Sequence, residues 1–221
     1  IYKALGWFDS SKDIHLSLLL RRFRLDKPRT RIACPRWNLE LVLNSFLKYP
    51  YVDPTSGSDY HVELKWLTLK CVFLVALATG RRVSCLRALV YDFIVGRGTD
   101  HNQQVISLNT LPEFRAKNQR HCDASERIVI PGIAHLNPRE PERLLCPVRC
   151  LRIYAKRTAD RHTGCLRLFV NWLPGKSEIT AGSVSRWVML AVKQAYENSG
   201  DTPPSGIAAH EVRAQLASWA Y

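Results

Sequence analysis

A chain of 221 residues, 46% of them hydrophobic, can bury a substantial core, which argues against intrinsic disorder and for one globular domain with an appendage. Lysine and arginine number 32 against 19 acidic residues; the net charge of +13 favours a polyanionic partner such as nucleic acid, and a solvated basic surface would show the same surplus. The longest near-continuous apolar stretch, residues 71–78, falls far short of the ~20 residues that a bilayer-spanning helix needs, so a soluble protein with no membrane partner is expected.

In chain order, residues 9–24 carry Ile14, Leu18, Leu19 and Phe23 at helical spacing behind a serine cap at Ser10 or Ser11, and predict an amphipathic helix. Pro28 and Pro35 bracket a basic segment that cannot continue that helix and reads as a linker. Residues 1–34 are therefore read as the remnant of an N-terminal helical region plus linker, and residues 35–221 as the main domain. A helix is predicted over 37–47. The run 64–78, apolar nearly all round, predicts a central buried helix closed by a C-cap glycine, Gly80. A short helix follows over 83–89, and the glycines and polar residues of 96–104 break the pattern. The β-branched runs 105–108 and 127–130 flank a polar segment, 114–125, and predict a small antiparallel sheet or hairpin.

Pro147 opens a helix over 148–157. Val184, Trp187, Val188, Ala191, Val192 and Ala195 form an apolar stripe that ends at Gly200, and a last helix is predicted to begin near Ile207. The fold class is mainly α with a small antiparallel β-sheet inserted, α+β, without internal repeats.

Seven cysteines, an odd number scattered with no signal peptide, argue against a disulfide framework and for a reducing compartment. Cys146 and Cys150 are spaced to share a helix face. No second close Cys/His pair stands at zinc-ligand spacing, so ordinary buried or half-buried thiols are expected and no metal. The first residue is isoleucine, from which a longer reading frame is expected.

Two places carry candidate chemistry. In Thr79-Gly80-Arg81-Arg82-Val83-Ser84, two arginines adjoin the most hydrophobic segment of the chain. A phosphate held by a guanidinium fork and backbone N–H groups would explain that placement, and so would a plain surface pair at a helix junction. In Ala209-His210-Glu211-Val212-Arg213, read inside the last helix, His210 and Arg213 are spaced to share a face while Val212, Leu216 and Trp219 face the core. They can hold one phosphate between them or simply be solvated.

An arginine pair near mid-chain, a hairpin lysine and a late His-x-x-Arg, in that order within a helical domain, resemble the catalytic domain of tyrosine recombinases. Longer blocks sharpen the likeness: Pro35-Arg36-Trp37-Asn38-Leu39-Glu40-Leu41-Val42-Leu43, Leu67-Thr68-Leu69-Lys70, Leu74 through Ser84, and Cys146-Pro147-Val148-Arg149-Cys150-Leu151-Arg152-Ile153-Tyr154 resemble the recombinases of DIRS-type retrotransposons. The resemblance covers roughly residues 35–221.

What the resemblance implies follows residue by residue. Arg82 matches the first catalytic arginine of a Thr-Gly-x-Arg pattern followed by a hydrophobic residue and serine, with Arg81 at the variable position. His210 and Arg213 match His-x-x-Arg, and Lys117 fits the hairpin lysine. Arg82 and Arg213 would stabilise charge on a five-coordinate phosphorus, His210 would assist the proton at the attacking oxygen, and Lys117 would protonate the leaving 5′ oxygen. Arg81, Arg82 and Arg213 would contact DNA. A tyrosine would form a 3′-phosphotyrosine during DNA strand cleavage and rejoining, with no cofactor and no metal.

Two departures stand out. Cys85 replaces a glutamate that is usual in the family, and Tyr221 is too few residues beyond Arg213 to be the nucleophile, so the domain is expected to be truncated before it and the fragment to bind DNA without cutting it. The implied partners are double-stranded DNA and, for the full-length protein, further copies of itself on DNA; the implied location is the nucleus. The alternatives are a noncatalytic DNA-binding remnant of a mobile element, a type IB topoisomerase, and a helical interaction module that does not bind DNA.

Overall fold

Residues of α2 (Leu64–Thr79) are apolar on nearly every side, and the helix they form is the axis of the fold: Leu67 through Ala76 are all buried. Such a helix cannot lie on a surface, so other elements cover it on all sides. The structure, a computed structural model, describes residues 36–98, 103–115, 127–133, 143–175 and 179–219. The other described elements are α1 (Leu39–Ser45), α3 (Val83–Arg87), β1 (Ile94–Arg97), β2 (Gln104–Leu108), β3 (Ile128–Pro131), α4 (Pro147–Thr158), a 3₁₀ turn (Ala159–His162), α5 (Ala181–Ser199) and α6 (Glu211–Trp219). All lie in the unit Cys34–Tyr221. The class is mixed helix with a small antiparallel sheet.

Helices α4 and α5 make the broadest contacts with α2, and β3, α6 and α3 complete its cover. Each partner's surface follows from its own sequence. Pro147 occupies the first turn of α4, where its missing N–H costs nothing, and Val148, Cys150, Leu151, Tyr154 and Ala155 form its buried side. The Tyr154 hydroxyl, wholly buried, accepts from Val170 N at 2.9 Å, which ties α4 to the 168–170 segment. Helix α5 begins in a capping box between Thr180 and Ser183 and buries the six predicted stripe residues before Gly200 ends it in the left-handed region. Full burial of a Val, Leu or Trp side chain contributes roughly 1.5–3 kcal/mol, so these stripes anchor the helices far more firmly than their propensities do. Asn38 caps α1, accepting from Glu40 N at 2.9 Å and Leu41 N at 3.3 Å.

The sheet has the order β1-β2-β3 and is antiparallel throughout, with Val105 opposite Pro131 and Leu108 opposite Ile128. The two predicted strands pair as expected. The 96–104 region differs: Ile94–Arg97 is a third strand that pairs with β2 in the register Ile94↔Ser107 to Arg97↔Gln104. Ile106, Leu108, Ile128 and Ile130 turn inward, while Ile94 and Val129 are 54% exposed.

The least expected feature of the core is Lys70, fully buried in mid-α2. Its Nζ donates to Asp59 Oδ2 and to the Phe46 carbonyl, both at 3.1 Å. Arg149 of α4 approaches Asp59 Oδ1 at 2.8 Å and donates to Oδ2 at 3.0 Å. One buried carboxylate thus neutralises two cations from different helices. Burial alone would raise the Asp59 carboxyl, but the Lys70 and Arg149 charges outweigh it and hold the group below the usual carboxylate range.

Cys146 and Cys150 are both buried at the start of α4, and Cys71, Cys85 and Cys165 are likewise free thiols. Burial and the neighbouring Cys150 push the Cys71 thiol well up. No described helix is long and apolar enough to cross a membrane. The helix expected over 9–24, the linker after it, residues 116–126 with Lys117, and Tyr221 all lie outside the described residues.

Candidate anion site

The first arginine motif is built by the way α2 ends. Gly80 takes φ 58° and ψ 16°, and its N–H donates to the Ala76 carbonyl; only glycine adopts that left-handed turn without strain. The chain therefore leaves the buried helix abruptly. Arg82 follows in extended conformation, φ −70° and ψ 155°, as the residue that precedes α3. Val83, Cys85 and Leu86 turn toward the core to differing degrees, and Ser84 stays exposed. The far end of α3 is fixed by Arg87, whose Nε donates to the Ile179 carbonyl at 2.9 Å, and by Arg167, which donates to the Arg87 carbonyl at 3.3 Å.

The second motif differs from its expected setting. The last helix begins at Glu211, and His210 stands one residue before it. The cause is a turn: Glu211 N donates to the Ala208 carbonyl at 3.0 Å, and the Glu211 carboxylate accepts from Ala208 N at 3.4 Å. A helix extending back to Ile207 would have to break both contacts. The same-face argument for His210 and Arg213 thus does not hold as a helical periodicity. The two residues are instead joined across the helix start, where Arg213 N donates to the His210 carbonyl at 3.2 Å. Val212 is buried, as expected, and Glu211 is turned inward with only 8% exposure. Gln215 binds the Trp37 carbonyl at 2.8 Å and fastens α6 to the start of the domain.

These two motifs, far apart in sequence, line one pocket of about 300 Å³. Ala76 of α2, Leu86 of α3, Val188 of α5 and Val212 of α6 contribute its apolar surface. Arg81, Arg82, Ser84, His210 and Arg213 supply its polar groups. No aspartate or glutamate is among the described residues that line it. Arg82, His210 and Arg213 are exposed, and among the described residues their side chains enter no hydrogen bond or ion pair; Arg81 is half-buried.

Chemically, the arrangement has what an anion needs. Guanidinium groups present several N–H donors in a fixed plane that matches the oxygens of phosphate or carboxylate, and no aspartate or glutamate stands among the described residues that line the pocket. Cys85 is buried, and α3 contains no carboxylate that could stand beside Arg82. Among the described residues no three His, Cys, Asp or Glu side chains are grouped to hold a metal ion.

Of the residues singled out from the sequence, Arg81, Arg82, His210 and Arg213 are thus brought together, while Lys117 is outside the described residues. Sequence reasoning assigned no role to Ser84, although it was part of the quoted motif. It also missed Val188, which read only as one more stripe residue. No family model matches the chain, and no curated protein or solved structure matches it either.

Proposed function

We propose that the pocket holds a phosphate of double-stranded DNA, and that residues 35–221 belong to a tyrosine-recombinase-type catalytic domain, similar to the recombinases of DIRS-type retrotransposons. The observation that carries this reading is the meeting of Arg82 with His210 and Arg213 in one pocket with no aspartate or glutamate among its described lining residues. The net charge of +13 supports the same partner.

In this reading Arg82 and Arg213 bind the nonbridging oxygens of a phosphodiester, and they bind them most strongly when charge accumulates on the five-coordinate phosphorus. Each such donor contributes roughly 10²–10³ in rate. His210 assists proton movement at the attacking oxygen, and Lys117 is assigned the leaving 5′ oxygen. The nucleophile is a tyrosine that the family places several helical turns beyond His-x-x-Arg; Tyr221 is too close to Arg213 to be assigned that role. Strand cleavage and rejoining in the integration of a mobile element is the proposed activity of the full-length protein, assembled as several copies on DNA in the nucleus.

Duplex binding across a salt series tests the first half of the proposal. Tight binding at low salt that weakens steeply as salt rises is expected, because each neutralised phosphate releases counterions. Failure to bind duplex DNA at low salt overturns it. The chemical half is tested with the reading frame extended past Tyr221: a nicked suicide duplex should trap a covalent adduct, and Arg213→Ala should abolish the trapping. Binding without any adduct would indicate a noncatalytic DNA-binding protein instead, and an adduct formed equally by Arg213→Ala would refute the role given to Arg213.

A further inference from the structure

We infer that Ser84 is a further substrate-contacting residue: its hydroxyl is the neutral hydrogen-bond donor of the anion pocket and reaches the same phosphate as Arg82 and Arg213. The inference rests on the reading of the pocket as a DNA-phosphate site, and deepens it. Ser84 lines the pocket, is exposed, and among the described residues its hydroxyl has no hydrogen-bond partner. Several other hydroxyls at helix starts or within helices are engaged. Thr180 and Ser183 bind each other's backbone, Thr68 donates to the Leu64 carbonyl at 2.7 Å, and Thr79 donates to the Val75 carbonyl at 2.8 Å. Ser84 faces the pocket with its hydroxyl unpartnered among the described residues.

Its chemistry complements the arginines. A hydroxyl on a short side chain loses little rotamer freedom on binding and carries no charge. It therefore adds affinity without displacing counterions from DNA, whereas each arginine–phosphate contact does displace them. The two kinds of contact leave different marks on a salt series. Loss of an arginine weakens binding and flattens the logarithmic dependence of affinity on salt by about 0.9. Loss of the hydroxyl should weaken binding equally at every salt concentration.

The experiment measures binding of a duplex oligonucleotide from low to moderate salt for the parent chain and for Ser84→Ala, Ser84→Thr, Ser84→Asp and Arg213→Ala, with thermal melts confirming that each variant is folded. Ser84→Ala should bind roughly three- to tenfold more weakly, the usual worth of one hydrogen bond, with the parent's salt slope. Ser84→Thr keeps the hydroxyl and should restore most of the loss. Ser84→Asp places a negative charge beside the ligand and should bind more weakly than Ser84→Ala. The assignment is overturned if Ser84→Ala binds like the parent, or if its salt slope falls as that of Arg213→Ala does. If Arg213→Ala also binds like the parent, the phosphate-site reading itself has failed, and the Ser84 contact fails with it. If Arg213→Ala weakens binding while Ser84→Ala does not, the reading stands and only the Ser84 contact is lost.

Discussion

Asp59 ties two cations from different helices into the interior. It holds Lys70 at 3.1 Å and Arg149 at 2.8 Å, and both its own side chain and that of Lys70 are wholly shielded from solvent. Removing one partner of a buried pair leaves a charge with neither water nor counter-ion, which typically costs about 3–5 kcal/mol. Asp59→Asn should therefore lower the stability measured by urea denaturation by about that amount. Asp59→Asn combined with Lys70→Met should recover part of it, because the fully buried Lys70 charge is then gone, while Arg149, 19% exposed, keeps access to water. The pH dependence has a definite sign. The Asp59 carboxyl is held below the ordinary range in the folded state, so its contribution is complete above the unfolded value of about 3.9 and is lost as pH falls through the folded value. Acid denaturation curves of the parent should carry this component, and those of Asp59→Asn should lack it. None of this arrangement was legible in the sequence. Lys70 reads only as a lone charge inside an apolar run, and its two partners arrive from a loop and from another helix.

Elements were legible wherever local chemistry decides them. The buried helix, its glycine cap, the Pro147 start of α4 and the stripe of α5 all follow from periodicity and caps. The element that was missed, β1, contains Gly96 and lacks alternation. Its strand conformation comes from pairing with β2, a contact that no local signal announces. The start of α6 was misplaced for a similar reason, since it is fixed by the Glu211 carboxylate turning back to Ala208. Gly80 links element to site, because its left-handed turn is what directs Arg81 and Arg82 away from α2. A β-branched side chain there would cost roughly 1–2 kcal/mol of backbone strain. Gly80→Val should accordingly melt at a lower temperature than the parent and bind duplex DNA more weakly even where it remains folded. Unchanged affinity in the folded variant would show that the turn does not position the arginines.

At the scale of the whole molecule, the four packed helices around α2 have one consequence for function: they bring the end of α2, the start of α3 and the start of α6 to a single pocket. The residue types at the candidate site could be read from the sequence, because arginine pairs and His-x-x-Arg are visible as strings. Their meeting could not, because it depends on α5 and α6 packing against the same helix. In the proposed phosphate site Arg82 and Arg213 grip one phosphate. A double-mutant cycle on duplex affinity, comparing the parent with Arg82→Ala, Arg213→Ala and the double variant at one low salt concentration, tests it most directly. Two arginines on a shared ligand are coupled, so the loss in the double variant should differ from the sum of the single losses by more than ~0.5 kcal/mol. Losses that add within that margin, or single variants that bind as the parent does, would contradict it.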